Sequence, residues 1–294
     1  GALRRHGVER RRGGAAPLRD ALPKKAVLVL PKSVNMTWIL QCFMNQTVSF
    51  YPNTKSYAVS SWGFPDIPYT VYEVRFTYWL GTVMLRQMEE EVDRAVRQLA
   101  ARLFPIPMPD SVRCQIAHHY LACTVEYCDE DHGSPLERSF LQSAYGALIR
   151  KRCVCQGIAE AYKRILNQAG IPCDLISGKI LDRGPGRAGE DRKPGKGGAG
   201  EPAGSREGWH AWNIVHLNGG RDHCHVDATW DIGQRADMRY FLIGDADLAG
   251  QREWKRHYYT PCGDGKKLRG EALDFCVLHR GDLMRAGLRP EWIS

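Results

Sequence analysis

The chain has 294 residues, with 41 Lys+Arg against 33 Asp+Glu and a formal net charge of +8. That length suits one large domain or two modest ones, and 43% apolar with 25% charged residues excludes a wholly disordered chain, a collagen-like repeat and a disulfide miniprotein. The most apolar run, Ala26 to Leu30, falls far short of the roughly 20 residues a spanning helix needs, so a soluble protein is expected, with no membrane span and no signal peptide visible.

The charge is concentrated at the start. Residues 1–25 hold Arg4, Arg5, Arg10, Arg11, Arg12, Arg19, Lys24 and Lys25 against Glu9 and Asp20, which reads as a disordered basic arm on a nearly neutral body. A nucleic-acid-binding domain would carry a folded basic face with aromatics between the charges, so no nucleic-acid partner is expected. Residues 26–80 are turn-rich and unassigned apart from one strand. Tyr69 to Tyr78 alternates, with Thr70, Tyr72, Val74, Phe76 and Tyr78 on one face, and reads as a strand with one wet side.

Residues 81–260 form the body. Thr82 to Leu103 places Val83, Met84, Met88, Val92, Val96, Leu99 and Leu103 at helical spacing and stops before Pro105. Asp110 opens a second helix to about Tyr127. It carries His118 and His119, which lack partners at i±4 and read as surface or edge residues. Ser143 to Leu148 reads as a short helix. Cys155 to Gln168 is a third clear helix, stopped by Gly170 and Pro172, and Asp174 to Leu181 is a strand.

Residues 182–208 hold nine glycines and three prolines and read as a flexible insert. Trp209 to Leu217 and Asp222 to Trp230 read as strands flanking Asn218-Gly219, a hairpin signal because both turn residues need positive φ. Tyr240 to Ile243 and a charged helical stretch to Trp254 complete the body. Residues 261–294 are unassigned.

The ten cysteines include no C-x-x-C pair and no regular spacing, which argues against a zinc ribbon or a disulfide framework. Cys155 stands apart, because the start of its helix offers unpaired N–H groups and a dipole that favour an anion. A two-residue loop at Asn218-Gly219 would set His210 directly opposite Asp227. A four-residue loop would oppose Asp227 to Trp212, diagonal to His210 on the same face, and a three-residue loop would separate the pair. His223, Cys224 and His225 form another cluster, but alternation puts Cys224 on the opposite face. They read as structural strand residues, and neither metal nor cofactor is expected.

A Cys, a His to deprotonate it and an Asp to orient the His supply the parts of thiol catalysis. Their order, together with Cys155-Gln156-Gly157-Ile158-Ala159-Glu160-Ala161-Tyr162, Gly170-Ile171-Pro172, Ser177-Gly178, His210-Ala211-Trp212-Asn213 and Val226-Asp227-Ala228-Thr229-Trp230-Asp231, resembles the transglutaminase-like superfamily of papain-fold cysteine enzymes, in its bacterial branch. The likeness covers about residues 80–257. It implies an α+β, papain-like fold with N-terminal helices packed on an antiparallel sheet. It also implies Cys155 as nucleophile, His210 as base and then acid, Asp227 as the carboxylate holding the imidazole, and a protein or peptide amide as substrate. The Cys155 backbone N–H is the first choice of oxyanion donor, with Gln142 and Tyr145 as side-chain candidates. A catalytically silent binding or scaffolding domain is the competing expectation, and hydrolysis and acyl transfer are both open.

Overall fold

The computed structural model describes residues 25–34, 36, 54–128, 134–181, 209–232 and 238–293. Almost all of the basic arm and the whole 182–208 insert lie outside these residues, as does Cys42. The N-terminal strands β1 (Lys25–Pro31), β2 (Thr54–Trp62) and β3 (Tyr69–Tyr78) make an antiparallel sheet in the order β1-β3-β2. Val74 and Phe76 of β3 bury against Leu85 and Met88 of helix α1 (Thr82–Leu103). The remaining apolar stripe of α1, Val92, Val96, Leu99 and Leu103, enters the main core.

That core is built by helix α2 (Asp110–Thr124) and helix α4 (Cys155–Gln168), with the short helix α3 (Pro135–Leu141) between them. Ile158, Ala161, Tyr162, Ile165 and Leu166 recur along one side of α4 and are each at most 1% exposed, so burial of this stripe sets the helix's rotation about its axis. Gly146–Arg150 is a π-helical turn rather than the short α-helix its composition suggests. The two-residue strands β4 (Glu126–Tyr127) and β5 (Arg152–Cys153) pair in parallel just ahead of Cys155.

The second sheet is antiparallel throughout, in the order β10-β6-β7-β8-β9. Its strands are β6 (Cys173–Ile180), β7 (Trp209–Leu217), β8 (Asp222–Val226), β9 (Phe241–Ile243) and β10 (Arg252–Glu253). The helical core covers one face, where Val215 and Leu217 of β7 join it. Ile176, Trp212, Ile214, Ile243, Leu248 and Trp254 form a separate small core on the other face. This is an α+β arrangement of helices packed on an antiparallel sheet.

Three local expectations are corrected. The β7–β8 loop has four residues, because Leu217 pairs with Asp222. Asn218, Gly219 and Gly220 all take positive φ, which extends the turn beyond the Asn-Gly pair. β8 ends at Val226 rather than Trp230, where its partner β9 supplies only three residues. Past β9, the expected helix to Trp254 is a four-residue helix α5 (Asp245–Leu248) followed by β10, which turns Arg252 into the protein. The C-terminal residues fold as α6 (Lys266–Leu278), α7 (Arg280–Arg285) and a 3-10 turn at Pro290–Trp292, with Ala272, Cys276, Leu283 and Trp292 in the main core.

Helix α4 is seated by contact as well as by its stripe. A Cβ on Gly157 would lie 2.8 Å from the Ser143 carbonyl oxygen and 2.9 Å from that of Leu141. Backbone there cannot swing aside as a flexible side chain would. Gly157→Ala is expected to destabilise the fold by about 1–3 kcal/mol, measurable as a lower urea midpoint at unchanged m-value.

Candidate active site

Cys155 is the first residue of α4. Val154 at the N-cap supplies no side-chain hydrogen bond, so the N–H groups of the first turn are not taken by a capping side chain. The thiol is partly exposed and packs against Ala159, Leu175 and Ala211, the last being the neighbour of His210 on β7. Two hydrogen bonds hold helix and sheet in this relation. The Asn213 side-chain amide on β7 donates to the Ala159 carbonyl at 2.9 Å and to the Asp174 carbonyl on β6 at 3.2 Å.

His210 is buried and faces Gly178 across the β6–β7 ladder. Its Nε2 lies 2.7 Å from Asp227 Oδ2. The residues reach each other by the diagonal route, since Asp227 follows the last β8 pair, Val226 with Asn213. Among the described residues the other ring nitrogen, Nδ1, is buried with no partner in good hydrogen-bond geometry, and the Cys155 side chain interacts with the same ring, which leaves Nδ1 as the nitrogen that can serve the thiol. Burial alone would depress the proton affinity of His210. The charge and hydrogen bond of Asp227 outweigh it, Cys155 adds to the effect, and the pKa is raised to about 9. Burial likewise opposes the charge on Asp227, yet His210 and then Arg252 hold its pKa below the ordinary carboxylate value.

Arg252 is the member that sequence reasoning missed. Its Nη2 donates to Asp227 Oδ2 at 3.1 Å, and its side chain is fully buried. The guanidinium lies 4.1 Å from the centroid of Trp230 and 5.5 Å from that of Tyr240, which suits its flat, weakly hydrated face. A residue read as part of a charged helix gives no signal for this role. Only pairing of Arg252 with Ile180 on β6 points the side chain inward.

The remaining candidates sort clearly. Trp230 stands edge-on to His210 with centroids 6.0 Å apart, and Trp212 stacks on the same ring at 6.1 Å. Gln142 lies at the C-cap of α3 and is partly exposed. Tyr145 packs on Phe140 at 5.6 Å, and burial and then Glu91, which its hydroxyl meets, raise its pKa. That engages the hydroxyl away from an oxyanion role. His118 and His119 are not surface residues: each is 1% exposed, and His118 Nε2 meets the buried Asp231 Oδ2 at 3.0 Å, tying α2 to the segment after β8. Glu160 is also buried and accepts from the Ala144 N–H at 2.6 Å. Burial pushes its carboxyl up to about 8. Nine cysteines lie among the described residues and all are free.

Residues 97–228 match the family model described as the transglutaminase-like superfamily, a span that contains Cys155, His210 and Asp227. Among solved structures, the chain is similar to a TGase at 10% identity and TM-score 0.35, covering 74% of this chain and 53% of that one. It is similar to a provisionally assigned cysteine protease from Cytophaga hutchinsonii at 11% identity and TM-score 0.34, covering 81% of each chain. A provisionally assigned protease from Parabacteroides distasonis follows at 9% identity and TM-score 0.31, covering 68% of this chain and 39% of that one. The chain thus spans about half the length of the TGase. No curated protein matches it. Among the described residues, no helix is long and apolar enough to cross a membrane.

The Asp227 cluster makes a measurable demand on stability. Arg252→Met leaves a buried carboxylate with one cation fewer and is expected to cost about 3–5 kcal/mol at neutral pH. The loss should shrink on acidification as Asp227 takes a proton. Urea titrations at neutral and acid pH check this, and an equal small loss at both would contradict the buried ion pair.

Proposed function

With residues 97–228 matching the model of the transglutaminase-like superfamily, we propose that the protein is a cysteine enzyme acting on protein or peptide amide bonds through a thioester, by a Cys155-His210-Asp227 triad. The observation that carries this reading is the buried 2.7 Å contact between His210 Nε2 and Asp227 Oδ2, with Nδ1 left open and Cys155 acting on the proton affinity of the same ring.

The chemistry follows from those positions. His210 holds the thiol proton on Nδ1 in the resting site, as an imidazolium beside the Cys155 thiolate, while Asp227 fixes the ring and stabilises that charge. The sulfur attacks the amide carbonyl, and the developing oxyanion meets the N–H of Cys155 in the first turn of α4. His210 then returns the proton to the departing amine as the C–N bond breaks, leaving a thioester. Water or a second amine attacks it, His210 removes the nucleophile's proton, and the thiol is restored. A raised histidine pKa favours the imidazolium of that pair, which supplies the proton to the departing amine; the neutral ring left behind then serves as base toward the incoming nucleophile. Water gives hydrolysis and an amine gives acyl transfer. Both proceed through the same intermediate.

The test uses labelling and turnover together. Iodoacetamide followed by peptide mapping should label Cys155 ahead of Cys153 and Cys173, whose thiols burial pushes far up. Amine incorporation or ammonia release on a casein-like substrate should fall by roughly three orders of magnitude or more in Cys155→Ala. Equal rates in both proteins would leave a silent domain as the reading.

A further inference from the structure

Behind His210 lies a second His–carboxylate arrangement that the triad does not use. Trp212, two residues along β7, shares the strand face of His210. The two rings stack with centroids 6.1 Å apart and planes 14° apart. The indole can sit there because β6 carries glycine opposite His210: a Cβ on Gly178 would lie 2.6 Å from Trp212 Cη2. The Trp212 N–H donates to His225 Nδ1 at 3.0 Å, and His225 Nε2 lies 2.8 Å from Asp245 Oδ1. Trp254 stands edge-on to both rings, 5.9 Å from Trp212 and 5.1 Å from His225.

One proton assignment satisfies every partner. An indole N–H can only donate, so His225 Nδ1 must hold a lone pair. The ring's proton then sits on Nε2 and is donated to Asp245. We propose that this Asp245–His225–Trp212 relay holds the imidazole of His210 at the angle catalysis requires, with His225 as a positioning residue. The inference rests on His210 being the base of the preceding section.

The same assignment argues against a metal centre. Ligand atoms of His225, Asp245 and Cys262 lie within 4.8 Å of one another. A metal on Nε2 would move the ring proton to Nδ1, where it meets the indole N–H instead of the acceptor that a ligating histidine ordinarily finds. Cys262 also makes a poor thiolate, since burial and then Asp245 push its pKa up.

Protonation of His225 has the effect that metal would have, because it sets N–H against N–H. The groups facing the ring are Trp212 from β7, Asp245 from α5, Trp254 beyond β10 and Cys262 before α6. The charges of Arg256 and Asp227 act with opposite signs. Burial outweighs Asp245 and lowers the His225 pKa from its ordinary value. A depressed histidine keeps its neutral form, and the stability that form gives, above the unfolded-state pKa and loses them as pH falls through the folded one. The relay is therefore whole at neutral pH and fails on the acid side.

Gln and Phe at position 225 separate these claims. Gln can accept from Trp212 and donate to Asp245 without titrating, whereas Phe fills the space and does neither. In His225→Phe, iodoacetamide alkylation of Cys155 at neutral pH should slow by about ten-fold, the factor that one lost buried hydrogen bond carries. The indole N–H resonance of Trp212 should also shift upfield. His225→Gln should restore both, and its alkylation rate should persist to lower pH than that of the wild type. Thermal melts of both variants establish that each is folded. Equal labelling of Cys155 and Cys153 in the wild type overturns the catalytic reading and this inference together. Selective labelling of Cys155 that His225→Phe leaves unchanged overturns this inference alone. A zinc-dependent rise in wild-type melting temperature that Cys262→Ala abolishes overturns it in favour of a metal centre.

Discussion

Asp227 holds a negative charge that water does not reach, and the surrounding elements are arranged to answer it. Its residue is 3% exposed, and an unanswered carboxylate at such a depth would cost several kcal/mol or take up a proton. His210 and Arg252 both meet the same oxygen, Oδ2, while the backbone N–H of Trp230 approaches Oδ1 at 3.3 Å. The carboxylate thereby stays ionised, the proton affinity of the histidine rises, and the ring is fixed through Nε2, which leaves Nδ1 for the proposed exchange with the thiol.

The two faces of the second sheet divide the work of placing this cluster. On the helical face, the buried stripe of α4 and the Asn213 amide hold the helix that begins at Cys155. On the other face, Trp212, Trp230 and Trp254 enclose His210, His225 and Arg252 in aromatic walls. Walls of this kind exclude water and strengthen the electrostatics between the groups they enclose. Histidines here have different partners and opposite tendencies. His210, beside an uninterrupted carboxylate, is drawn toward the imidazolium, and His225, beside an indole donor, is kept neutral. Neighbours on one sheet thus acquire distinct roles from the hydrogen-bonding capacity of what touches them.

Much of this was legible in the residues because local rules governed it. The helix from Cys155 to Gln168 and the strand from Trp209 to Leu217 start and stop where periodicity and breakers indicate. The α+β arrangement is the one that the resemblance of the Cys155, His210 and Asp227 motifs implies. The hairpin shows the limit of local reasoning: Asn218-Gly219 announces a turn, but Gly220 also takes positive φ and Leu217 pairs with Asp222. That two-residue change in register converts a facing His–Asp pair into a diagonal one. Arg252, His118 and the Trp212–His225 bond were not legible, since each depends on contacts between elements far apart in the chain. Pattern rules place polar residues outside, and burial here is secured by partners that only the fold supplies: Asp227 for Arg252, Asp231 for His118, Asp245 for His225.

The central claim is that Asp227 makes His210 the strong base of this site. Nitrogen-15 NMR of the histidine side chains, assigned to His210 by comparison with His210→Gln, reads that directly. The account predicts a His210 ring protonated on both nitrogens at neutral pH, losing one proton near pH 9, with that step moving several-fold in hydrogen-ion concentration toward neutrality in Asp227→Asn. A His210 ring that is neutral at pH 7, or whose titration is unchanged in Asp227→Asn, would contradict it.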